Sequence, residues 1–321
     1  MNVRRLIPRT ALAGAVALGI VSLSACAGSS DAADKGGDGK LDVVASFYPM
    51  QFLAERIGGG HVAVNTLTKP GVEPHDLELK PKQIGELGDA DVVLYLKGIQ
   101  PAVDEAIAQA GVKNTVDAAT LTKLEKHGNE VGHDHEGEEA GHDHASEAGA
   151  DPHVWLDPVK YAEVAEGVGS ALQKADPDHA ADYRKNTEAL KKELGDLDTA
   201  FETGLRNTAT KTFITTHSAF GYLAERYGLE QEGITGIDPE SEPSPARIKE
   251  LQDIAEKDKV STVFFETLAS DKTAKTLAKD TGLRTDVLDP LEGITDRSEG
   301  DDYLAVMRSN LAALKTALGA K

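Results

Sequence analysis

The sequence predicts an α/β protein of two lobes, each a parallel sheet flanked by helices, joined by a long rigid backbone helix. Three observations carry this. Short apolar strands alternate with helical stretches in both halves of the chain, the pattern of parallel sheets with helical crossovers. The 321 residues are too many for one small domain and enough for two of moderate size. Between the halves, residues 180–206 form a proline-free run of Ala, Leu, Glu and Lys, long for a helix packed inside one small domain.

The first 25 residues are set apart from the fold. Arg4, Arg5 and Arg9 make a basic start, residues 10–21 an apolar run too short to span a bilayer comfortably, and Leu23-Ser24-Ala25 leads into Cys26. This resembles a bacterial lipoprotein signal, in which the cysteine is lipidated and becomes the mature N-terminus. The expectation is therefore a signal at 1–25 and a flexible tether at 26–40, rich in Gly, Ser, Ala and Asp. The exported body would be anchored by lipid at Cys26 to the outer face of the cytoplasmic membrane, on the periplasmic side if an outer membrane is present. Cys26 is the only cysteine, which excludes an internal disulfide, a thiolate metal site and a cysteine nucleophile. The formal net charge of −20 repels phosphate backbones and excludes nucleic acid as a partner. It also draws cations toward the surface, in a salt-dependent way.

The N-terminal lobe is expected over 41–177. Residues 41–46 read as a strand, and 50–57 as a helix stopped by Gly58-Gly59-Gly60. Residues 62–67 are a second strand, after which a loop with Pro70, Gly71 and Pro74 delivers His75. Residues 81–87 look helical. The continuous apolar run at 91–96 marks a buried strand. A helix at 102–110 and a short extended stretch at 114–117 follow. Residues 125–150 are Gly, His, Glu and Asp with almost no apolar residue. Such a segment cannot bury enough surface to offset its ordering entropy, so a disordered loop is expected. Residues 159–174 have helical periodicity, Asp176-Pro177-Asp178 punctuates them, and the linking helix occupies 178–206.

The C-terminal lobe, 207–321, repeats the alternation. A strand at 211–216 ends at His217, and a helix at 220–227 is closed by Gly228. An extended stretch at 230–235 precedes a loop with three prolines at 238–245. A helix at 247–257 leads to a strand at 260–265 that ends at Glu266. A helix at 272–281 is closed by Gly282. A strand at 284–288 runs into Asp289-Pro290-Leu291-Glu292-Gly293, and 303–318 is the last helix.

Open parallel sheets bind ligands beyond the carboxyl ends of their strands. His217, Asp289 and Glu292 lie at such ends, His75 lies in the loop after the second strand, and His153 lies between the polar loop and a helix. Two facing lobes could bring together three imidazoles and one carboxylate, a set suited to zinc. Each residue also has a plainer reading. A histidine beside a proline is often a hydrogen-bonded turn residue, and His217 could cap the next helix. Asp151 and Asp157 suit helix caps or turns. Trp155 suits packing, and Glu266 is either another strand-end ligand or a paired charge. His61 and His179 read as surface residues. Gly-His-Asp-His occurs twice, at 132–135 and 141–144. Together His127, His133, His135, His142 and His144 read as a second, weaker metal device, since His-rich tracts bind transition metals and a flexible tract must be ordered on binding. Imidazoles bind metal only when neutral, so affinity is expected to fall below about pH 6.5.

Five stretches carry a resemblance over essentially the whole mature chain. They are Pro74-His75-Asp76-Leu77-Glu78-Leu79-Lys80-Pro81, Asp151-Pro152-His153-Val154-Trp155-Leu156-Asp157-Pro158, Thr216-His217-Ser218-Ala219-Phe220-Gly221-Tyr222-Leu223, Glu242-Pro243-Ser244-Pro245 and Asp289-Pro290-Leu291-Glu292-Gly293. In this order, behind a lipobox, they resemble the zinc-binding solute-binding lipoproteins of bacterial ATP-binding-cassette metal importers (the cluster A-I metal-binding family). The resemblance implies a metal in the cleft between two α/β lobes, with ligands His75, His153 and His217. In the family the fourth position is a second-lobe carboxylate or is left to water, and of the two carboxylates here the resemblance favours Glu292 ahead of Asp289. Related manganese carriers often have Glu where this chain has His217, so three imidazoles favour Zn²⁺. The implied role is capture of Zn²⁺ as transported ligand and its delivery to a membrane permease by a monomer, with no bond made or broken. The alternatives are a manganese or iron carrier or, from other classes, an exported zinc hydrolase or a metal-stabilised surface adhesin. Against the hydrolase, no His-Glu-x-x-His motif occurs.

Overall fold

The computed structural model describes residues 39–112, 114–127 and 150–321. The expected signal, Cys26, most of the tether, and His133, His135, His142 and His144 lie outside the described residues. Two four-stranded sheets form the frame, each wholly parallel. The first joins β1 (Leu41–Ala45), β2 (Val62–Thr66), β3 (Val92–Tyr95) and β4 (Thr115–Asp117) in the order β2-β1-β3-β4. The second joins β5 (Thr212–Thr215), β6 (Glu230–Gly233), β7 (Thr262–Phe265) and β8 (Arg284–Val287) in the order β6-β5-β7-β8. The two orders are the same. In each, the chain turns from one side of the sheet to the other between its first and third strands, and that is where a crevice opens above the carboxyl ends.

The sheets are flanked by α1 (Tyr48–Gly58), α2 (Pro81–Asp89), α3 (Pro101–Ala110) and α4 (Pro158–Ala175) in the first lobe. Then come the long α5 (Ala180–Leu205) and, in the second lobe, α6 (Gly221–Tyr227), α7 (Pro245–Lys257), α8 (Lys272–Thr281) and α9 (Tyr303–Ala317). Helices α2, α3, α4 and α7 begin with proline, whose missing N–H and fixed φ suit a first turn. Asp157 caps α4 by accepting from Val159 and Lys160 N–H, and Ser244 caps α7 by accepting from Arg247 N–H.

Helix α5 has 26 residues, a rod of about 39 Å at 1.5 Å per residue. It buries Tyr183, Leu190, Leu194, Leu197, Phe201 and Leu205 along one stripe. That stripe meets α1 and α4 of the first lobe and α9 of the second. One apolar core therefore runs from Leu53 of α1 through Leu197 to Leu314 of α9. The close fit of α4 on α5 needs Gly169, because a Cβ there would lie 2.2 Å from Thr187 Oγ1.

Short bonds bolt the lobes together near the cleft. Trp155 Nε1 donates to Pro290 O at 2.7 Å, and Tyr303 Oη donates to Trp155 O at 2.6 Å. Arg226 Nη2 of α6 donates to the α4 cap Asp157 at 2.7 Å. Single 3₁₀ turns that hydrophobic periodicity does not signal occur at Val154–Leu156 and Pro177–His179. The second carries His179, which stands beside His61 at the surface, each side chain 32% exposed. Their rings stack with centroids 3.9 Å apart. His61 Nε2 lies 3.0 Å from Asp182, and His179 Nδ1 lies 2.6 Å from Asp176. Among the described residues no helix is long and apolar enough to cross a membrane.

Candidate metal centre

Four side chains distant in sequence meet at the carboxyl ends of the strands. His75 comes from the loop after β2, His217 from the residues after β5, Glu292 from the loop after β8, and His153 stands just before the 3₁₀ turn leading to α4. One ligand atom from each lies within 4.8 Å of all the others. Glu292 Oε1 is the hub, 3.3 Å from His75 Nε2, 3.2 Å from His153 Nε2 and 3.4 Å from His217 Nε2. His153, His217 and Glu292 are wholly buried, and the His75 side chain is 11% exposed.

Each wholly buried imidazole is held from behind by a carboxylate. Asp151 Oδ1 accepts from both the backbone N–H (3.0 Å) and Nδ1 (2.7 Å) of His153. Glu266 Oε1 accepts likewise from the backbone N–H (3.2 Å) and Nδ1 (2.6 Å) of His217, and also from Thr216 Oγ1. His217 and Glu266 follow β5 and β7, the two strands that flank the second sheet's crossover point. With Nδ1 protonated toward a carboxylate, each ring turns the lone pair of Nε2 inward, the tautomer a metal requires.

Buried polar atoms at the centre have no hydrogen-bond partner: His217 Nε2, Glu292 Oε2, Glu266 Oε2 and Glu73 Oε2. Buried polar groups are nearly always paired, so this donor set fits a cation. Three imidazoles and one carboxylate match a four-coordinate zinc site.

The charges respond to one another. Burial pushes Glu292 up, but the His217 charge and the contacts with the His153 and His75 imidazoles outweigh it and hold the carboxylate well below 4.5. Burial pushes His217 down, but Glu266 and Glu292 outweigh it and hold the ring well above 6.5. His153 is also raised, since Asp151 and Glu292 outweigh its burial.

Of the two second-lobe carboxylates left open by sequence, only Glu292 joins the histidines. Asp289 is committed to the turn instead. Its Oδ1 accepts from Leu291 N–H at 2.8 Å, its Oδ2 from Thr267 Oγ1 at 3.2 Å, and its backbone pairs with the Asn310 amide at 3.0 and 2.7 Å. These bonds hold Leu291 at φ +60°, a left-handed conformation unfavourable for a branched side chain, and so aim Glu292 at the imidazoles.

Three residues exceed their sequence reading. Asp151, read as a cap or turn former, orients His153. Glu73 is the second. It accepts from His75 N–H at 3.1 Å, and burial together with the Glu292 charge pushes its carboxyl up to about 9. A glutamate in Val72-Glu73-Pro74 carries no sequence signal of that role. His127, grouped with the loop histidines, is fixed: its Nδ1 lies 3.0 Å from Asp151 Oδ2 and its Nε2 2.8 Å from Glu225 Oε2.

Comparison with known proteins adds an independent line. The family described as zinc-uptake complex component A, periplasmic, matches residues 43–317. The high-affinity zinc uptake system protein ZnuA of Bacillus subtilis (strain 168) is 40% identical over 304 residues, covering 92% of this chain and 93% of that protein. The zinc-binding lipoprotein AdcA of Streptococcus pneumoniae (strain ATCC BAA-255 / R6) is 37% identical over 296 residues, covering 88% of this chain and 56% of AdcA. The chain thus spans little more than half the length of that relative. Among solved structures, the Zn(II)-bound ZnuA-like domain of S. pneumoniae AdcA matches with a TM-score of 0.71 and 34% identity, covering 87% of this chain and 99% of that domain.

Proposed function

The chain belongs to the family of the periplasmic zinc-uptake complex component A, and from that premise we propose that it is the extracytoplasmic zinc-binding component of an ATP-binding-cassette importer. It captures Zn²⁺ between its lobes and delivers it to a membrane permease. The ligands are Nε2 of His75, His153 and His217 and the carboxylate of Glu292, with Asp289 supporting the turn. The observation that carries this reading is the convergence of these four groups within 4.8 Å, with buried atoms of His217 and Glu292 left unpartnered.

The rest of the reading follows from the sequence. Lipid at Cys26 keeps the chain at the outer face of the membrane, near the permease. The tract with His133, His135, His142 and His144 collects metal weakly. The protein acts as a monomer, and nothing in capture and delivery requires a covalent step. Three imidazoles favour zinc over manganese.

Competition titration against a chromophoric chelator tests the site. Removing a direct ligand (His153→Ala, His217→Ala or Glu292→Gln) is expected to cost more than the ~10–100-fold typical of a residue behind a ligand. Unchanged zinc affinity in these variants would remove the site, and tighter binding of Mn²⁺ than of Zn²⁺ would move the reading to a manganese carrier.

A further inference from the structure

We propose that Glu125, His127 and Glu225 form a second zinc site at the surface, and that one buried carboxylate, Asp151, orients a histidine of both sites. This rests on the reading of the cleft as a zinc site. Ligand atoms of the three residues lie within 4.8 Å of one another. His127 Nε2 and Glu225 Oε2 are already 2.8 Å apart.

The argument turns on what stands behind His127. Its Nδ1 lies 3.0 Å from Asp151 Oδ2. The other oxygen of the same carboxylate, Oδ1, lies 2.7 Å from Nδ1 of His153. Asp151 therefore holds two imidazoles by the same ring nitrogen and turns two Nε2 atoms outward, one toward Glu292 and one toward Glu225. A carboxylate behind Nδ1 with a metal before Nε2 is the usual build of a metal-binding histidine.

The place is also shaped for the ring. A Cβ at Gly221, the first residue of α6, would lie 2.3 Å from His127 Cβ and 3.0 Å from Asp151 Oδ2, so glycine is what admits the pair. Tyr222 meets the His127 ring edge-on at 4.3 Å. Its hydroxyl donates to Asp151 O and accepts from Glu125 N–H, each at 2.8 Å. Asp151 N–H donates to Glu125 O at 2.8 Å, which fixes Glu125 and His127 against the turn that carries His153. Lys160 Nζ lies 3.3 Å from Glu125 Oε1. A metal must displace that contact and release the proton of His127 Nε2 to solvent, so this site is the weaker of the two.

The test is a calorimetric titration with Zn²⁺ alone. It uses the full chain carrying His133→Gln, His135→Gln, His142→Gln and His144→Gln, so that the tract contributes no imidazole. The expected result is two equivalents, the second weaker by about tenfold or more. Adding Glu125→Gln and Glu225→Gln, near-isosteric changes at partly exposed positions, is expected to abolish the second equivalent. The first should persist, which also shows that the variant is folded. Asp151→Asn is expected to weaken both. A single equivalent in the four-histidine variant overturns the proposal, as does a second equivalent that survives loss of both glutamates. Loss of the first equivalent with the second retained would instead sink the cleft reading and leave the surface site standing.

Discussion

Each wholly buried imidazole of the cleft owes its direction to a carboxylate that stands behind its ring. Asp151→Asn and Glu266→Gln should therefore each weaken zinc binding ~10–100-fold, measured by chelator competition. Full affinity in both would show that packing alone sets the rings. The same contacts govern pH dependence. His217 is raised above 6.5, so its contribution to the metal-free fold is complete below 6.5 and lost as pH climbs through the folded value. Glu292 is held below 4.5, so its contribution is present above 4.5 and lost as pH falls through the folded value. Both contributions are complete between 4.5 and 6.5, and that of Glu73, raised to about 9, is lost as pH climbs above 4.5, so the metal-free chain should be most stable toward the lower end of that window, followed as the denaturant midpoint against pH. Zinc affinity should run the other way and keep rising above pH 6.5, because metal must displace protons that the carboxylates help to retain. An affinity that levels off at 6.5 would contradict this. It would restore the simpler sequence expectation, which assumed an unperturbed imidazole.

At the scale of elements, the frame was legible because its signals are local. The apolar run at 91–96 becomes β3 with Val92, Val93 and Leu94 buried, and the proline-free run at 180–206 becomes α5, ending one residue earlier. His217 was legible for the same reason, since a strand ends just before it. What stayed hidden depends on partners far along the chain. His127 meets Glu225 across 98 positions, which no sequence signal joins, and His75 meets Glu292 across 217, a pairing that the family resemblance implies and local spacing does not. Nor does spacing reveal that Asp289 serves the backbone while Glu292 faces the cleft, because that choice lies in the left-handed turn at Leu291. Packing between α4 and α5 supplies a prediction of its own. Gly169→Val forces side-chain atoms onto Thr187 and should cost about 1–3 kcal/mol in a denaturant titration. Zinc affinity should survive, since Gly169 belongs to the shared core rather than to the cleft.

For the molecule as a whole, two sheets of the same strand order face the cleft across a continuous core, and the four proposed ligands come from both. Zinc should therefore stabilise the entire chain. At a free concentration a hundred times Kd the expected gain is about 2.7 kcal/mol, read as a higher unfolding midpoint than in excess chelator. An unchanged midpoint would mean that zinc binds folded and unfolded chain alike. Trp155 gives this whole-chain event a private witness. It is the only tryptophan, its ring centroid lies 5.1 Å from that of His153, and its N–H is tied to Pro290 beside Glu292. Indole emission responds to the charge and rigidity of its immediate neighbours. Arrival or departure of cargo should thus register optically in the unlabelled protein, with no other tryptophan to dilute the signal.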